Sequence, residues 1–417
     1  MTATFACLLT SVGCERPPTS FDRVVLIVVD TLRRDHLSLY TGPASTPTID
    51  ALADRGAATQ AAHASYHQTT MSMAAMFTGR VPALEWDEGP VPAFTFHRTS
   101  WCGMRRFGKR GDACIPASVP TLASQFQSAG YETLGVASNP LLHAPAGYHR
   151  GFDAWEEVGS LSRIGPGAPP KVLAGSRDAS VVQEAVDDIL AARRTNRFFL
   201  YVHFMDAHDW WLAGRPSYVA GVEASDAGVA SLLDRLEQEN LLEGALVIVT
   251  ADHAEMLPGD RVLVAQEGHF GNPSFEPVLD VPLVVAPAVD LAAPSGVIRT
   301  DQFPERILNW AGVSPKDEFA AKPVLARDET FTSETGWRTY RKGRWKSAWQ
   351  RDGTNAYLFD LDRGERQDVA QSHPDILERH RVRIEAIRDA LGGRTTDTPK
   401  KLSPEDLELL RALGYAE

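Results

Sequence analysis

The chain has 417 residues, 43% hydrophobic and 23% charged, with 54 acidic against 42 basic side chains. This composition excludes a disordered or collagen-like polymer and describes a globular protein, either a large α/β domain with an appendage or roughly two to three domains at ~150 residues each. A formal charge of −12 argues against nucleic acid as the main partner, because phosphate backbones attract basic faces; the basic stretches Arg105–Arg110 and Arg338–Lys346 are too short to reverse the sign.

Residues 1–20 read as a leader. The apolar TFACLLTSVGC is too short to span a bilayer, and SVGC resembles a bacterial lipoprotein cleavage box, with a possible lipid anchor at Cys14. The reading implies an exported, periplasmic or cell-envelope protein. In such a compartment Cys102 and Cys114 could pair within an Arg- and Gly-rich loop. No later stretch is long and apolar enough for a membrane span.

Residues 23–30 (RVVLIVVD) form an apolar run without alternation, the pattern of a strand buried on both faces. It ends in Asp30, at the strand end where open α/β sheets place their ligands. Thr48–Arg55 predicts a helix capped by Thr46 or Thr48 and stopped by Gly56. Val119–Ala129 predicts a helix and Glu132–Ala137 a strand. Ser180–Arg193 is helical by apolar spacing, and Phe198–Phe204 is another buried strand, ending near Asp206. Val229–Asn240 predicts a helix, Ala245–Ala251 a strand that delivers Asp252 and His253, and Val281–Pro287 a last apolar run. This alternation predicts a mostly parallel sheet covered by helices on both faces.

After about residue 325 the texture changes. Phe331–Ser347 and Tyr357–Asp360 read as short strands with exposed charges and Glu378–Leu391 as an amphipathic helix, so a small antiparallel α+β subdomain is expected over 326–391. Residues 392–417 read as a linker and a terminal helix at Pro404–Leu413. The catalytic α/β domain is expected over 21–325.

Asp30 and the adjacent pair Asp252 and His253 come from separate strand ends, so one sheet edge can gather them. Two carboxylates and an imidazole suit a hard or borderline divalent cation such as Ca, Mn or Zn. His36, His63 and His67 follow no ligand spacing and read as packed or exposed histidines.

The run VVLIVVDTLRRDHLSLYTGPASTPTIDALADRGA resembles the opening of the sulfatase family, within the alkaline phosphatase superfamily. MFTGR at 76–80, FFLYVHFMDAH at 198–208, LVIVTADHAEML at 246–257, GHFGNPSFEPVLDVPLVV at 268–285 and LSPEDLELLRALGY at 402–415 match it in order. The resemblance implies a nucleophile ten residues before Gly79, which is Thr69. Typical sulfatases carry C/S-x-P-S-R there and oxidise the Cys or Ser to formylglycine. This chain reads Thr69-Thr70-Met71-Ser72-Met73, nearer to relatives with T-x-P-S-H, so no formylglycine is expected.

The resemblance further implies Asp30, Asp252, His253 and Thr69 as ligands of a divalent metal ion, with Thr69 as a metal-bound nucleophile at a helix start. Thr31 replaces a second opening carboxylate, which shifts the expectation from calcium toward manganese or zinc. His208 matches the histidine that contacts substrate and protonates the leaving oxygen, with Asp206 as its orienting partner or a ligand. Asn139 stands where many sulfatases have a lysine and His269 near a basic residue; both are expected to bind substrate, with a second metal as the alternative for His269. The implied function is metal-dependent hydrolysis of a sulfate or phosphate ester on a small molecule or glycan. The alternatives are a phosphodiesterase or phosphonate-type hydrolase, a phosphoethanolamine-type transferase, and a degenerate glycan-binding member. Trp86, Trp101, Trp210 and Trp211 are candidates for stacking on the organic part.

Overall fold

The structure is a computed structural model that describes residues 20–81, 114–115, 117–159, 161–163, 170–172, 177–263, 274–293, 296–316, 319, 324–333, 337–350 and 353–390. The leader with Cys14, and also Cys102, Trp86, Trp101, His269 and the terminal helix, lie outside the described residues. Cys114 is disulfide-bonded. Among the described residues no helix is long and apolar enough to cross a membrane.

A seven-stranded sheet runs in the order Ala57–Thr59, Leu283–Ala286, Ala245–Thr250, Arg23–Val29, Phe198–Phe204, Glu132–Ala137, Ala154–Glu157. The five strands from Ala245–Thr250 onward are mutually parallel, and Leu283–Ala286 and Ala57–Thr59 extend that sheet antiparallel. The central strands are buried on both faces, as their unbroken apolar runs require. Helices Pro47–Asp54, Ala179–Ala191 and Tyr218–Gln238 pack together as one layer, and Thr69–Thr78, Leu122–Ser128 and Phe303–Trp310 as the other. The fold is therefore the mostly parallel, helix-covered α/β sheet that the sequence pattern predicts.

Element boundaries differ from expectation in instructive ways. The helix expected from Val229 starts at Tyr218, capped by the Ser217 side chain, because the small residues of GVEASDAG pack closely where no apolar periodicity marks them. Gly221 and Gly228 leave space there that a Cβ would take from Trp210 and Ala179. The first helix starts at Pro47, behind Thr46.

The C-terminal unit is an antiparallel sheet of Glu329–Ser333, Trp337–Lys342, Trp345–Gln350 and Ala356–Asp360 with helix Pro374–Ala390 against it. Leu325, Phe331, Tyr340, Ile384 and Ile387 form a small apolar cluster with Val81, while Ala348 and Phe359 of the same sheet join the main core. Buried Lys346 docks it onto the large domain: its Nζ lies 2.9 Å from Glu276 and 2.8 Å from Glu365. Arg341 donates to Glu276 at 2.5 Å, and His63 Nε2 is 3.1 Å from the same carboxylate. His63, Glu276 and Asp280 have the spacing of a metal site. Their carboxylates are already taken by Lys346, Arg341 and Arg34, which makes this an ion-pair network.

Candidate active site at the carboxyl edge of the sheet

Strand register decides which side chains meet. Val28 is level with His203 and with Thr250, and Ala137 is level with His203. Side chains alternate along a strand, so positions two further on share a face. Asp30, Asp252 and Asn139 lie two residues beyond Val28, Thr250 and Ala137. Four neighbouring parallel strands therefore deliver these three side chains and His203 to one spot. All four are buried.

Thr69 arrives from above. It opens helix Thr69–Thr78 behind Gln68, which offers no side-chain cap, so the first backbone N–H groups lack intrahelical partners. Its hydroxyl Oγ1 lies 3.2 Å from His253 Nε2 and 3.4 Å from Asp30 Oδ2, and Asn139 Nδ2 donates to it at 3.4 Å. Ser72, one turn on, donates to the Asp252 carbonyl at 2.5 Å and ties the helix to the strand end. Met71 and Met73 of the same helix are fully buried.

The acidic pair is arranged in a particular way. Asp30 Oδ2 accepts from Asn139 Nδ2 at 2.7 Å and faces His203 Nε2 at 3.1 Å, while Asp30 Oδ1 and Asp252 Oδ2 are buried without a hydrogen-bond partner. Asp252 Oδ1 accepts from the Thr31 backbone N–H at 3.3 Å. Thr31 has φ +58°, a left-handed conformation that is uncommon for a β-branched residue. The turn after the central strand is thus strained at the point where it holds Asp252.

Burial raises the Asp30 carboxyl, but the His203 hydrogen bond and the nearby His208, His203 and His253 charges outweigh it and hold the group well below the usual carboxylate range. Burial and then the Asp30 charge push Asp252 well above that range. Two buried carboxylates this close are not both ionised without a cation between them. His253 Nδ1 lies 2.9 Å from the Ala254 carbonyl, and donating there leaves the Nε2 lone pair facing Thr69 and Asp252. Orphaned oxygens on both carboxylates and an imidazole nitrogen so oriented fit a divalent cation.

His208 is buried, with Nδ1 2.8 Å from Asp209 Oδ1. Asp209 also accepts from Arg177 Nη2 at 2.7 Å. Burial works against protonating His208, yet the Asp209 hydrogen bond and the Asp30 charge outweigh it and raise its pKa. The orienting carboxylate is therefore Asp209. Asp206 instead accepts from Arg215 at 2.6 Å and from the Ala179 backbone at 3.3 Å, at a helix start, with burial raising it to about 6. The structure thus brings Asp30, Thr69, Asn139, Asp252 and His253 together and sets His208 within electrostatic reach of Asp30.

Three residues here were missed from the sequence: His203, Asp209 and Arg177. An ionisable side chain within the otherwise apolar FFLYVHF was the available signal for His203. Its Nδ1 is 2.6 Å from Tyr201 Oη, part of an aromatic layer with Trp155, Phe152 and Phe77.

A family model described as Sulfatase matches residues 22–313 of the chain. No curated protein matches it. Among solved structures, a 2-O GAG sulfatase superposes with TM-score 0.66 at 16% identity, covering 89% of this chain and 93% of that one. A phosphonate monoester hydrolase of Agrobacterium radiobacter gives 0.60 at 15% identity, covering 88% and 96%. A protein solved with its substrate D-glucosamine-2-N,6-O-disulfate gives 0.61 at 14% identity, covering 92% and 100%.

Proposed function

The chain belongs to the sulfatase family of ester hydrolases, and from that premise we propose that it cleaves a sulfate or phosphate ester by attack of the Thr69 hydroxyl. The observation that carries this reading is the position of Thr69 Oγ1, within 3.4 Å of His253, Asp30 and Asn139 at the open start of a helix. A divalent cation held by Asp30, Asp252, His253 and Thr69 would make the hydroxyl more acidic and offset charge on the tetrahedral oxygens. One imidazole, two carboxylates and a hydroxyl suit manganese or zinc better than an oxygen-only calcium shell.

The chain's own groups account for the rest. Thr69 gives up its proton to the acceptors beside it and forms the bond to sulfur or phosphorus. The ester oxygen leaves with a proton from His208, whose Asp209 partner keeps the ring charged. Asn139 holds Asp30 and the nucleophile in place, and the first backbone N–H groups of the Thr69 helix face the anion. Water then hydrolyses the threonyl ester, with His208 taking the proton back. Trp211, 49% exposed three residues past His208, offers a ring to a sugar or aryl group. The sulfated sugar bound by one structural neighbour supports a glycan sulfate among the substrates, with His269 as a further contact; the phosphonate hydrolase neighbour supports the phosphorus alternative.

The test is turnover of aryl sulfate, phosphate monoester, phosphate diester and phosphonate monoester probes, each with Ca, Mn or Zn, for wild type and Thr69→Ala. Metal-dependent cleavage of one ester class that drops at least a thousandfold in Thr69→Ala is expected. Equal activity in the two proteins would remove Thr69 from the chemistry, and none in either would leave a binding protein.

A further inference from the structure

Arg177 is the least explained charge near the site. Its side chain is fully buried, and its only hydrogen-bonding nitrogen is Nη2, 2.7 Å from both Asp209 oxygens; Nε and Nη1 are buried with no partner. A guanidinium with two nitrogens left unsatisfied away from water is costly, and buried donors of this kind normally meet an acceptor. The fold nevertheless makes room for it. Gly159, at φ +111°, sits where a Cβ would come within 2.8 Å of Arg177 Cγ, beside the Ser138 carbonyl that immediately precedes Asn139.

The charges around it point to the missing acceptor. Among the described residues the groups in bonding reach of Thr69 are Asp30, His253 and Asn139, with Asp252 beside them, and none is a permanent cation. Two carboxylates offset the charge of a divalent cation, so among the described residues the metal and the helix N-terminus are not joined there by any side chain that carries a permanent positive charge. Arg177, His208 and Asp209 together supply one net positive charge when His208 is protonated, and His208 senses both Asp30 and Arg177. A tetrahedral anion with peripheral oxygens matches the fork of a guanidinium.

We propose that Arg177 is the cation that receives the substrate's sulfuryl or phosphoryl oxygens, through Nε and Nη1, while Nη2 stays on Asp209. This rests on the catalytic reading above and names the residue that recognises the anion. Arg177 thereby couples binding to acid catalysis, because the carboxylate that anchors it also holds the His208 proton.

The experiment is calorimetric titration of metal-loaded protein with inorganic sulfate and with inorganic phosphate, for wild type, Thr69→Ala, Arg177→Met and Arg177→Lys. Arg177→Met should weaken both anions at least tenfold and raise KM more than it lowers kcat, and Arg177→Lys should restore part of the loss. Thr69→Ala should lose turnover whatever becomes of its anion affinity, so a failure of the nucleophile assignment is read from turnover in that variant and a failure of the Arg177 assignment from anion affinity in the Arg177 variants. If Arg177→Met does not fold, Arg177→Met with Asp209→Asn leaves no unpaired carboxylate and carries the same expectation. Wild-type anion affinity in a folded variant lacking the guanidinium would overturn the proposal.

Discussion

At the residue scale the candidate site depends on who holds each proton. His208 owes its raised pKa to Asp209 and Asp30 against the opposing effect of burial. A general acid works in its protonated form, so activity is lost as pH rises through that pKa. Asp209→Asn removes one of the two supports, and the alkaline limb of kcat/KM should move to lower pH; an unmoved limb would exclude His208 as the acid. The cation prediction is equally direct. Adding Zn or Mn to chelator-treated protein should raise Tm, by the equivalent of about 2.7 kcal/mol at a hundredfold excess over Kd. Asp252→Asn should abolish most of that rise, as differential scanning fluorimetry would read. Asp30, Asp252 and His253 were legible in the sequence because each follows an apolar run that announces a strand end. His203 and Arg177 were not, because their partners lie 173 and 32 positions away and only the folded chain brings them within reach; Asp209 adjoins His208 in sequence, but nothing in the sequence chose it over Asp206 as the carboxylate on the ring.

At the scale of elements, the strand pair Glu132–Ala137 and Ala154–Glu157 supports Asn139 from below. Gly135 is there for Trp155: a Cβ would meet the indole ring at 2.6 Å and Phe152 at 3.1 Å. Gly135→Ala should cost about 1–3 kcal/mol of stability in urea unfolding, the ordinary cost of overpacking a close contact. Because Trp155 stacks on Tyr201 and Tyr201 touches His203, the same substitution should weaken cation affinity as well. A stability loss with unchanged affinity would show that the aromatic layer ends short of the site. The parallel strands were readable from composition, since burial on both faces requires unbroken apolar runs. The first half of helix Tyr218–Gln238 was not, since glycine, alanine and serine pack by closeness and leave no periodic pattern.

At the scale of the whole molecule, the two sheets are joined through buried charge. Lys346 lies between Glu276 and Glu365, and Glu365 is pushed up to about 7 by burial, with Lys346 opposing. Lys346→Met would leave two buried carboxylates short of a partner, a change that typically costs about 3–5 kcal/mol. A carboxyl whose folded pKa is raised stabilises the fold below its unfolded pKa and loses that contribution as pH rises through the folded value. The loss in Lys346→Met should therefore be larger at pH 8 than at pH 5, and urea denaturation at the two pH values would read it. The division of labour at the sheet edge has a different kind of consequence. Asp30, Asn139, His203 and Asp252 are fixed by strand register, which a one-residue slip would destroy, whereas Thr69 comes from a separate helix resting on that edge. The side chain at position 69 can therefore be exchanged without disturbing the strand-held frame, so the helix-borne hydroxyl and the carboxylates beneath it are separately adjustable.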